Sequence, residues 1–362
     1  MKLALLAAFS IAATAIAFGQ TSAPAMRPAP RPRGVSIEYY PRQPDAFFAS
    51  PQGRQIAENV LTWQTPHGCW DKNYDARNPH PQGTPFGEWV GVDTIDNGAT
   101  YSELRILAKA NAARPDKRYV DAFLKGFDTL LAAQYANGGW PQRFPTSDEP
   151  YGRHITFNDD AMTQVMVFLQ EIIDGAPQYA FVDDGRRAKA RAAFDKGLDC
   201  ILKCQIVVDG KPTDWCAQHD EVTLAPAKAR TYELPSFSGS EGAHLAIFLM
   251  RQKHPDARIK AAVRGAAAWF DKVKITGIRV QPATDPATGL PDRVVVTDPK
   301  APPLWARFYD LQTQKPFFCG RDGIKKNALA QIERERRAGY AWYGNWGADV
   351  ATEYARWEKD NP

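Results

Sequence analysis

Several features that would assign this sequence to a common functional class are scarce or absent. The 362-residue chain has five cysteines and six histidines, and no histidine is spaced to complete a zinc site with Cys200 and Cys204. The net charge is only +4, and no block of lysine and arginine is long enough to indicate a nucleic-acid-binding protein. No serine or cysteine lies with a histidine in a recognised nucleophile motif. We therefore expect neither a zinc enzyme, nor a nucleic-acid-binding protein, nor a serine or cysteine hydrolase.

Long apolar runs are also absent after the start of the chain. A short apolar stretch follows Lys2 and ends in the small residues Ala15–Ala17, which is the pattern of a signal peptide over residues 1–19. The stretch is too short to span a bilayer. Residues 20–35 are rich in proline, alanine and arginine and predict an extended linker. We expect an exported protein, secreted or periplasmic, with one catalytic domain over residues 36–362 and no membrane partner.

The odd number of cysteines leaves disulfide bonding open. In an oxidising compartment five cysteines permit one or two disulfides together with at least one free thiol. Cys200 and Cys204 are four residues apart on a predicted helix, where packing in the core is the simpler interpretation. We expect Cys216, beside Trp215, to be buried in the same way.

One pattern occurs three times: an apolar helical run ends in glutamine, and a glycine-containing turn then leads to tryptophan. The pairs are Gln64 with Trp70, Gln134 with Trp140, and Gln205 with Trp215. The steps from 64 to 134 and from 134 to 205 are 70 and 71 residues, enough for one helical hairpin and its connections. Because each helix buries one stripe, neighbouring hairpins must stack to enclose a core. The sequence predicts a mainly α fold, an (α/α)3 barrel-like toroid with the tryptophans packed inside.

Apolar residues at three-to-four spacing predict the individual helices. The predicted ranges are 53–63, 99–113, 118–135, 161–174, 183–206, 239–253, 256–272, 324–339 and 348–359. Short β-branched stretches at 273–280 and 293–297 predict a small sheet or hairpin. Long aromatic-rich loops separate the last predicted elements of the chain, and such loops on a rigid scaffold are where functional residues usually lie.

A second repeat lies directly ahead of three apolar helices. Asp96-Asn97-Gly98 aligns with Asn158-Asp159-Asp160, and residues 236–243 are a looser third copy. Helix capping is the simplest interpretation, but a cap needs one residue and each of the first two copies supplies two or three oxygen donors. If these helix starts share one rim of a ring, the carboxylates of Asp96 and Asp159 converge. A set of oxygen donors favours Ca²⁺ over Zn²⁺.

Six further segments are informative as a set. They are Asn137–Gln142, Ile155–Met162, Ala227–Ser236, Trp305–Tyr309, Phe318–Gly323 and Gly339–Trp346. Each alone is weak, but together and in this order they resemble the pectate lyases of polysaccharide lyase family 10. The resemblance extends from about residue 54 to 346. It implies a helical toroid with a smaller lobe, a Ca²⁺ requirement, and cleavage of polygalacturonate by β-elimination.

The resemblance implies roles for the metal ligands and the base. Asp96 and Asp159, with Asn97 beside them, match positions that hold a Ca²⁺ ion bridging to a substrate carboxylate, and Arg230 matches the Brønsted base. Removing the proton next to a uronate carboxylate creates negative charge that Ca²⁺ and guanidinium groups neutralise. Because free guanidinium has a pKa above about 12, we expect an alkaline optimum. A surface ion pair of Arg230 with Glu233 is the competing structural interpretation.

The resemblance also implies substrate contacts. Arg307 and Arg321 match arginines that hold the uronate, and Asn158, the first residue of the second acidic turn, is predicted as a further substrate contact. Lys228 is predicted as a contact and as an alternative base, because lysine changes its pKa more readily than arginine. Aromatic residues in the predicted loops are candidates to line sugar subsites: Tyr309, Trp342, Tyr343 and Trp346.

Three other classes fit parts of the pattern. The glutamine-to-tryptophan repeat with acidic helix starts is also similar to terpene cyclases, but export and the lack of an Asp-Asp-x-x-Asp motif argue against them. Paired carboxylates on a helical ring would suit a glycoside hydrolase. A noncatalytic uronan-binding protein would need no base. The pectate lyase interpretation accounts for the most motifs, and we expect a monomer acting on polygalacturonate.

Overall fold

The computed structural model describes residues 35–86, 93–146 and 149–362. The predicted signal peptide and nearly all of the predicted linker lie outside the described residues. Within the described residues, no helix combines the length and the apolar composition needed to cross a bilayer.

Helices dominate the described part of the chain. They are α1 (Asp45–Ala49), α2 (Pro51–Thr62), α3 (Tyr101–Ala113), α4 (Lys117–Ala132), α5 (Pro150–Arg153), α6 (Ala161–Ile173), α7 (Asp184–Cys204), α8 (Glu241–Met250), α9 (Ala257–Val273), α10 (Arg334–Gly339) and α11 (Trp346–Asp360). Eight of the nine predicted helices are present, with ends shifted by at most three residues. The ninth, 324–339, is wrong except for α10, because its first half forms a strand and a 3-10 turn.

The strands are short and paired two by two. They are β1 (Asp93–Thr94), β2 (Arg143–Phe144), β3 (Ile155–Thr156), β4 (Val207–Val208), β5 (Lys211–Pro212), β6 (Gln218–His219), β7 (Phe237–Ser238), β8 (Ile278–Thr284), β9 (Pro291–Thr297), β10 (Trp305–Ala306), β11 (Phe308–Tyr309), β12 (Phe318–Cys319), β13 (Lys325–Lys326) and β14 (Tyr343–Gly344). The predicted hairpin is confirmed as β8 and β9, with Ile278 opposite Thr297. Two-residue strands carry no periodicity, so the sequence does not reveal the others.

The helices form two layers. The hairpins α3–α4, α6–α7 and α8–α9 each pack internally, and α3, α6 and α8 also contact one another in sequence. The second layer runs through α2, α4, α7 and α9. Helix α6 is buried on most of its surface, as expected for an inner helix. The predicted mainly α toroid is confirmed.

The glutamine of each repeat joins two consecutive hairpins. Its side-chain Nε2 donates to a carbonyl in the turn that follows and to a carbonyl of the next outer helix. The acceptors are Gly68 and Ala122 for Gln64 (2.6 and 2.7 Å), Gly138 and Ala193 for Gln134 (2.9 and 2.8 Å), and Thr213 and Ala262 for Gln205 (2.9 and 2.9 Å). The repeat in the sequence is therefore a repeated cross-link between neighbouring units.

The tryptophan of each repeat is buried and bonded at both ends. Its indole Nε1 donates to a carbonyl of the preceding outer helix, and its own carbonyl accepts from the strand before the next inner helix. The partners are Val60 and Thr94 for Trp70, Leu130 and Thr156 for Trp140, and Ile201 and Ser238 for Trp215. Trp305 donates to Phe270 in the same manner (2.8 Å) and is a fourth copy that spacing did not show. The packing role predicted for the tryptophans is confirmed by this burial.

The question of disulfide bonding, which the cysteine count left open, is answered by the structure. All five cysteines are buried free thiols, and the Sγ atoms of Cys200 and Cys204 are 4.0 Å apart, about twice the length of a disulfide bond. These two residues occupy consecutive turns of α7 and pack into the core. The cysteines fill small apolar spaces rather than forming cross-links.

Removing one glutamine cross-link should destabilise the toroid. Gln134→Ala deletes both side-chain hydrogen bonds and leaves the carbonyls of Gly138 and Ala193 without this donor, so we expect the free energy of unfolding to fall by about 1–3 kcal/mol. Denaturant unfolding checks this, with Gln52→Ala on the exposed start of α2 as the control, expected within about 0.5 kcal/mol of the unmodified protein. Equal stability of the two variants would contradict the cross-linking role.

Candidate active site

Two irregular turns with the same backbone geometry lie directly before inner helices. The 3-10 turns Asp96–Gly98 and Asn158–Asp160 each hold their second residue in the left-handed region, with φ of 52° at Asn97 and 50° at Asp159. Asparagine and aspartate tolerate this conformation better than most residues. Each turn follows a two-residue strand, β1 or β3, whose amide is bound by the carbonyl of a repeat tryptophan. The two repeats seen in the sequence are thus parts of one structural unit.

Helix capping does not account for these polar turns. The outer helices α2, α4, α7 and α9 begin with Ser50, Asp116, Asp183 and Asp256, whose side chains accept hydrogen bonds from their first-turn amides. The inner helices α3, α6 and α8 have no side-chain cap. The acidic side chains of the turns are therefore available for contacts outside the helix.

Asp96 is a buried carboxylate with one oxygen left without a partner. Its Oδ2 contacts the ammonium group of Lys72. Its Oδ1 is buried and has no hydrogen-bond partner among the described residues. A buried carboxylate oxygen without a donor is costly, so this atom is a candidate ligand for a cation.

Asp159 faces both an amide and a cation. Its Oδ2 accepts from the Asn158 side chain (2.8 Å), and its Oδ1 lies 3.6 Å from Nη2 of Arg307. Burial raises the pKa of Asp159, the charges of Glu241 and Asp96 raise it further, and Arg307 lowers it. The crowding of carboxylates at this point would be relieved by bound positive charge.

Arg307 is buried and held by a second buried carboxylate. Its Nη2 lies 2.6 Å from Oε1 of Glu241 at the start of α8, and its guanidinium stacks 4.8 Å from the centre of the Tyr340 ring. Burial opposes its charge, but Glu241, Tyr340 and Asp159 outweigh this and raise the pKa of Arg307. Its Nε is buried and has no acceptor among the described residues. Arg307 is therefore a fixed cation whose Nε–H donates no hydrogen bond to the described residues.

Arg230 is paired with Glu233, the competing interpretation considered from the sequence. Its Nε donates to Oε2 of Glu233 (2.7 Å), and Nη2 contacts Oε1 of the same carboxylate. Tyr340 donates its hydroxyl to this carboxylate (2.9 Å). Burial alone would lower the pKa of Arg230, but the hydrogen bonds and charge of Glu233 raise it overall. Among the described residues Nη1 has no hydrogen-bond acceptor, so this nitrogen is available to a ligand.

The acidic turns and the arginines lie within electrostatic range of one another. The pKa of Tyr151 is raised by burial and then by the charges of Asp96 and Glu233, and it is lowered by Arg230. Arg307 interacts with Asp159 and with Glu233. Tyr340 connects the two halves, because it contacts both Arg307 and Glu233. Asp96, Asp159, Arg307 and Arg230 are thus brought together, although they are far apart in the sequence.

Arg321 and Lys228 lie on the exposed side of this cluster. The guanidinium of Arg321 binds Glu335 at 3.0–3.1 Å. It also lies 6.0 Å from the centre of the Tyr232 ring, and the guanidinium groups of Arg230 and Arg336 lie close to the same ring. Lys228 is exposed and forms no ion pair within the described part of the chain. Both are accessible to a ligand.

Tyr309 is not brought to this cluster. Its side chain is fully buried, its hydroxyl donates to Val273 (3.2 Å) and accepts from the amide of Ala306 (2.9 Å), and its ring packs on Trp269. The predicted substrate contact is therefore corrected to a core residue. Trp342 is likewise buried, with its indole bound to Arg336. The position of these aromatic residues in predicted loops therefore did not show whether their side chains are exposed.

A different group of side chains has metal-compatible spacing. His154, Asp220 and Glu221 present ligand atoms within 4.8 Å of one another. Several of their atoms are already engaged, since the two oxygens of Glu221 bind His154 Nδ1 (3.0 Å) and Arg153, and Oδ1 of Asp220 accepts from two amides of its own loop. We interpret this group as stabilising the loop.

Several members of the site were not singled out from the sequence. Glu241, Tyr340, Tyr151 and Lys72 carry its electrostatics, and each lies in or beside a segment already noted as a motif or repeat. Of these residues, Glu241 carried the clearest signal in the sequence, since it begins the helix of the third, looser copy of the acidic turn. Its pairing with Arg307 depends on the packing of β7 against β11, which spacing does not reveal.

Comparison with known proteins agrees with the motifs. The chain matches the family model for pectic acid lyase over residues 64–351. A search of curated proteins gives no match.

Two solved structures are similar over most of their length. A family 10 polysaccharide lyase from Cellvibrio cellulosa is 33% identical, with a TM-score of 0.74 over 87% of this chain and 95% of that chain. A mutant of family 10 polysaccharide lyase from the same organism, in complex with trigalacturonic acid, is 32% identical, with a TM-score of 0.74 over 90% and 99%.

A buried carboxyl group close to the acidic turn should make stability depend on pH. Burial raises the pKa of Glu103 from 4.5 to about 8, and its Oε1 accepts from Tyr74 (2.9 Å). Between these values the unfolded chain has lost a proton that the native protein still binds, so the free energy of unfolding falls as pH rises from about 4.5 to 8. Glu103→Gln should remove this fall, which urea unfolding at pH 5 and pH 8.5 would measure. An identical loss of stability in both proteins would contradict the assignment.

Proposed function

This chain belongs to polysaccharide lyase family 10 and is a pectate lyase, and on that premise we propose that it cleaves polygalacturonate by Ca²⁺-assisted anti-β-elimination, with Arg230 as the base. The observation that carries the proposal is the convergence of Asp96, Asp159, Arg307 and Arg230 at one rim of the toroid. Two carboxylates and two guanidinium groups suit a ligand that is itself anionic and that becomes more so during reaction. The products would be 4,5-unsaturated oligogalacturonides.

The residues present fit a Ca²⁺ ion. Asp96 has a buried oxygen that accepts no hydrogen bond, and the charged form of Asp159 is destabilised by neighbouring carboxylates. Asn97, in the same turn as Asp96, is exposed and offers a side-chain oxygen as a further ligand. Oxygen-only donors of this kind match the preferences of Ca²⁺. When bound, the ion would neutralise a substrate carboxylate and so make the adjacent C–H more acidic.

Arg307 would bind and orient the substrate uronate. Its position is fixed by Glu241 and by stacking on Tyr340, so little entropy is lost when it binds. Its unpaired Nε supplies a buried hydrogen-bond donor beside the acidic turns. Arg321 and Lys228, being exposed, would contact neighbouring sugar carboxylates, and Asn158 would hold Asp159 in position.

Arg230 would accept the proton from C5 while the bond from C4 to the leaving oxygen breaks. Glu233 holds the guanidinium in place and also raises its pKa. The neutral form is therefore a small fraction that increases with pH, and turnover should rise into the alkaline range. Lys228 stays as the alternative base, and substitution separates the two.

The N-terminal segment supports export, and we infer that the protein is secreted or periplasmic, where polymeric pectate is encountered. We also propose that it acts as a monomer.

Replacing Arg230 tests the base. Arg230→Ala should lower kcat on polygalacturonate by at least about 100-fold, the usual contribution of a general base, as followed by the ultraviolet absorbance of the unsaturated product. Arg258→Ala, which also removes an ion-paired arginine but lies on α9 away from the site, should keep full activity.

Near-normal turnover of Arg230→Ala, with loss of turnover in Lys228→Ala, would transfer the role of base to Lys228. New reducing ends without a new double bond would instead identify a hydrolase. Binding without either product would identify a noncatalytic protein.

Metal dependence tests the acidic turns. A chelator should abolish activity and added Ca²⁺ should restore it, and Asp159→Asn should raise the Ca²⁺ concentration for half-maximal activity by about tenfold or more, because ligand charge sets affinity. Asp160→Asn is the matched control, since this neighbouring carboxylate is bound to His244 (2.7 Å). Equal Ca²⁺ dependence of the two variants would remove Asp159 from the metal site.

A further inference from the structure

A second, basic cleft lies beside the end of α9. It has a volume of about 740 Å³ and is formed by the last residues of α9, the loop after β11 and parts of β12 and β14. This volume falls within the range of about 300–1,000 Å³ that is usual for ligand pockets. Its apolar floor includes Val273, Ile275, Pro316 and Phe318.

The charge of the cleft has one sign. Lys272, Lys274 and Lys315 line it, and no lining residue is acidic. Lys274 is paired with Asp271 outside the cleft (2.6 Å), and Lys272 donates to the neutral side chain of Gln314 (3.0 Å). Lys315 is exposed and forms no ion pair within the described residues. At least two positive charges are therefore uncompensated here.

Neutral polar groups in the same cleft are also unengaged. In the described part of the chain, neither the Tyr343 hydroxyl nor the Asn327 side-chain amide has a hydrogen-bond partner. Tyr343 is half-buried and lines the cleft. The cleft thus combines cations, neutral hydrogen-bonding groups and an apolar floor with an aromatic ring at its edge.

The cleft does not include the charged residues of the catalytic cluster. Its buried wall is Tyr309, whose hydroxyl is turned to Val273 at the end of α9, whereas Arg307 is bound to Glu241 at the start of α8. Asp96, Asp159, Arg230 and Arg307 do not line it.

We propose that this cleft is a second, noncatalytic binding site for the uronate polymer. A uronate ring presents a carboxylate, hydroxyl groups and an apolar C–H face, which correspond to the lysines, to Asn327 and Tyr343, and to the apolar floor. The proposal rests on the proposed function, because the polymer is taken to be the substrate. Such a site would hold the polymer on the enzyme between cleavage events, so it should affect long chains and not short ones.

Affinity electrophoresis in polygalacturonate gels with chelator tests the site without catalysis. In an Arg230→Ala background, Lys272→Glu with Lys315→Glu should weaken the apparent affinity for the polymer about tenfold, since an exposed ion pair contributes up to about fivefold. Lys189→Glu with Lys211→Glu makes the same change in charge at exposed positions elsewhere and should alter it by less than about twofold. Equal retardation of the two double variants would overturn the proposal.

Kinetics of the active protein supply a second readout. With Arg230 intact, the cleft double variant should raise KM on polygalacturonate while leaving kcat, and turnover of trigalacturonate, unchanged. Tyr343→Ala should weaken retardation by the polymer without a change in charge. Retardation by polyglutamate as strong as by polygalacturonate would overturn recognition of the sugar. Failure of the lyase assay alone leaves the gel comparison intact, so the two proposals fail separately.

Discussion

The glutamine and tryptophan hydrogen bonds that join consecutive helical hairpins are the constraint on which the structure depends. Each glutamine side chain reaches a carbonyl of its own turn and one of the next outer helix, 57 to 59 residues later. Each tryptophan binds the outer helix before it and the strand before the next inner helix. These bonds fix the position of each hairpin along the axis of the toroid relative to its neighbours, because the bonded polar groups lie in or at the edge of the core and are costly to leave unsatisfied.

This alignment of the hairpins brings the acidic and polar turns to one rim of the toroid. The strand held by each tryptophan leads directly into an acidic or polar turn, so the turns of successive units come to the same end of the toroid. Burial and mutual repulsion then make the carboxylates ready to bind cations, and Glu241 and Glu233 hold the two arginines opposite them. The fold thus supplies position, and low-dielectric surroundings strengthen the two buried ion pairs, Arg307 with Glu241 and Lys72 with Asp96.

The sequence predicted the parts of this arrangement that follow from periodicity. Helical spacing predicted the hairpins and the burial of Trp70 and its counterparts in the core, and the aligned turns indicated that Asp96 and Asp159 would be neighbours. It did not predict Glu241 or Tyr340 as members of the site, since their contacts depend on strand pairings of two residues. The prediction of Tyr309 as a substrate contact was wrong because tertiary packing decides whether an aromatic side chain in a loop faces the substrate or the core. Disulfide bonding had to be left open, because the cysteine count does not show which thiols are adjacent, whereas the expected burial of Cys200, Cys204 and Cys216 is confirmed.

A crystal structure of the Arg230→Ala variant grown with Ca²⁺ and trigalacturonate would test the central claim most directly. The account predicts a Ca²⁺ ion bound by carboxylate oxygens of Asp96 and Asp159 at about 2.3–2.6 Å, with a uronate carboxylate on the same ion and Arg307 in contact with the sugar. An ion bound at His154, Asp220 and Glu221, with none between the two acidic turns, would contradict it.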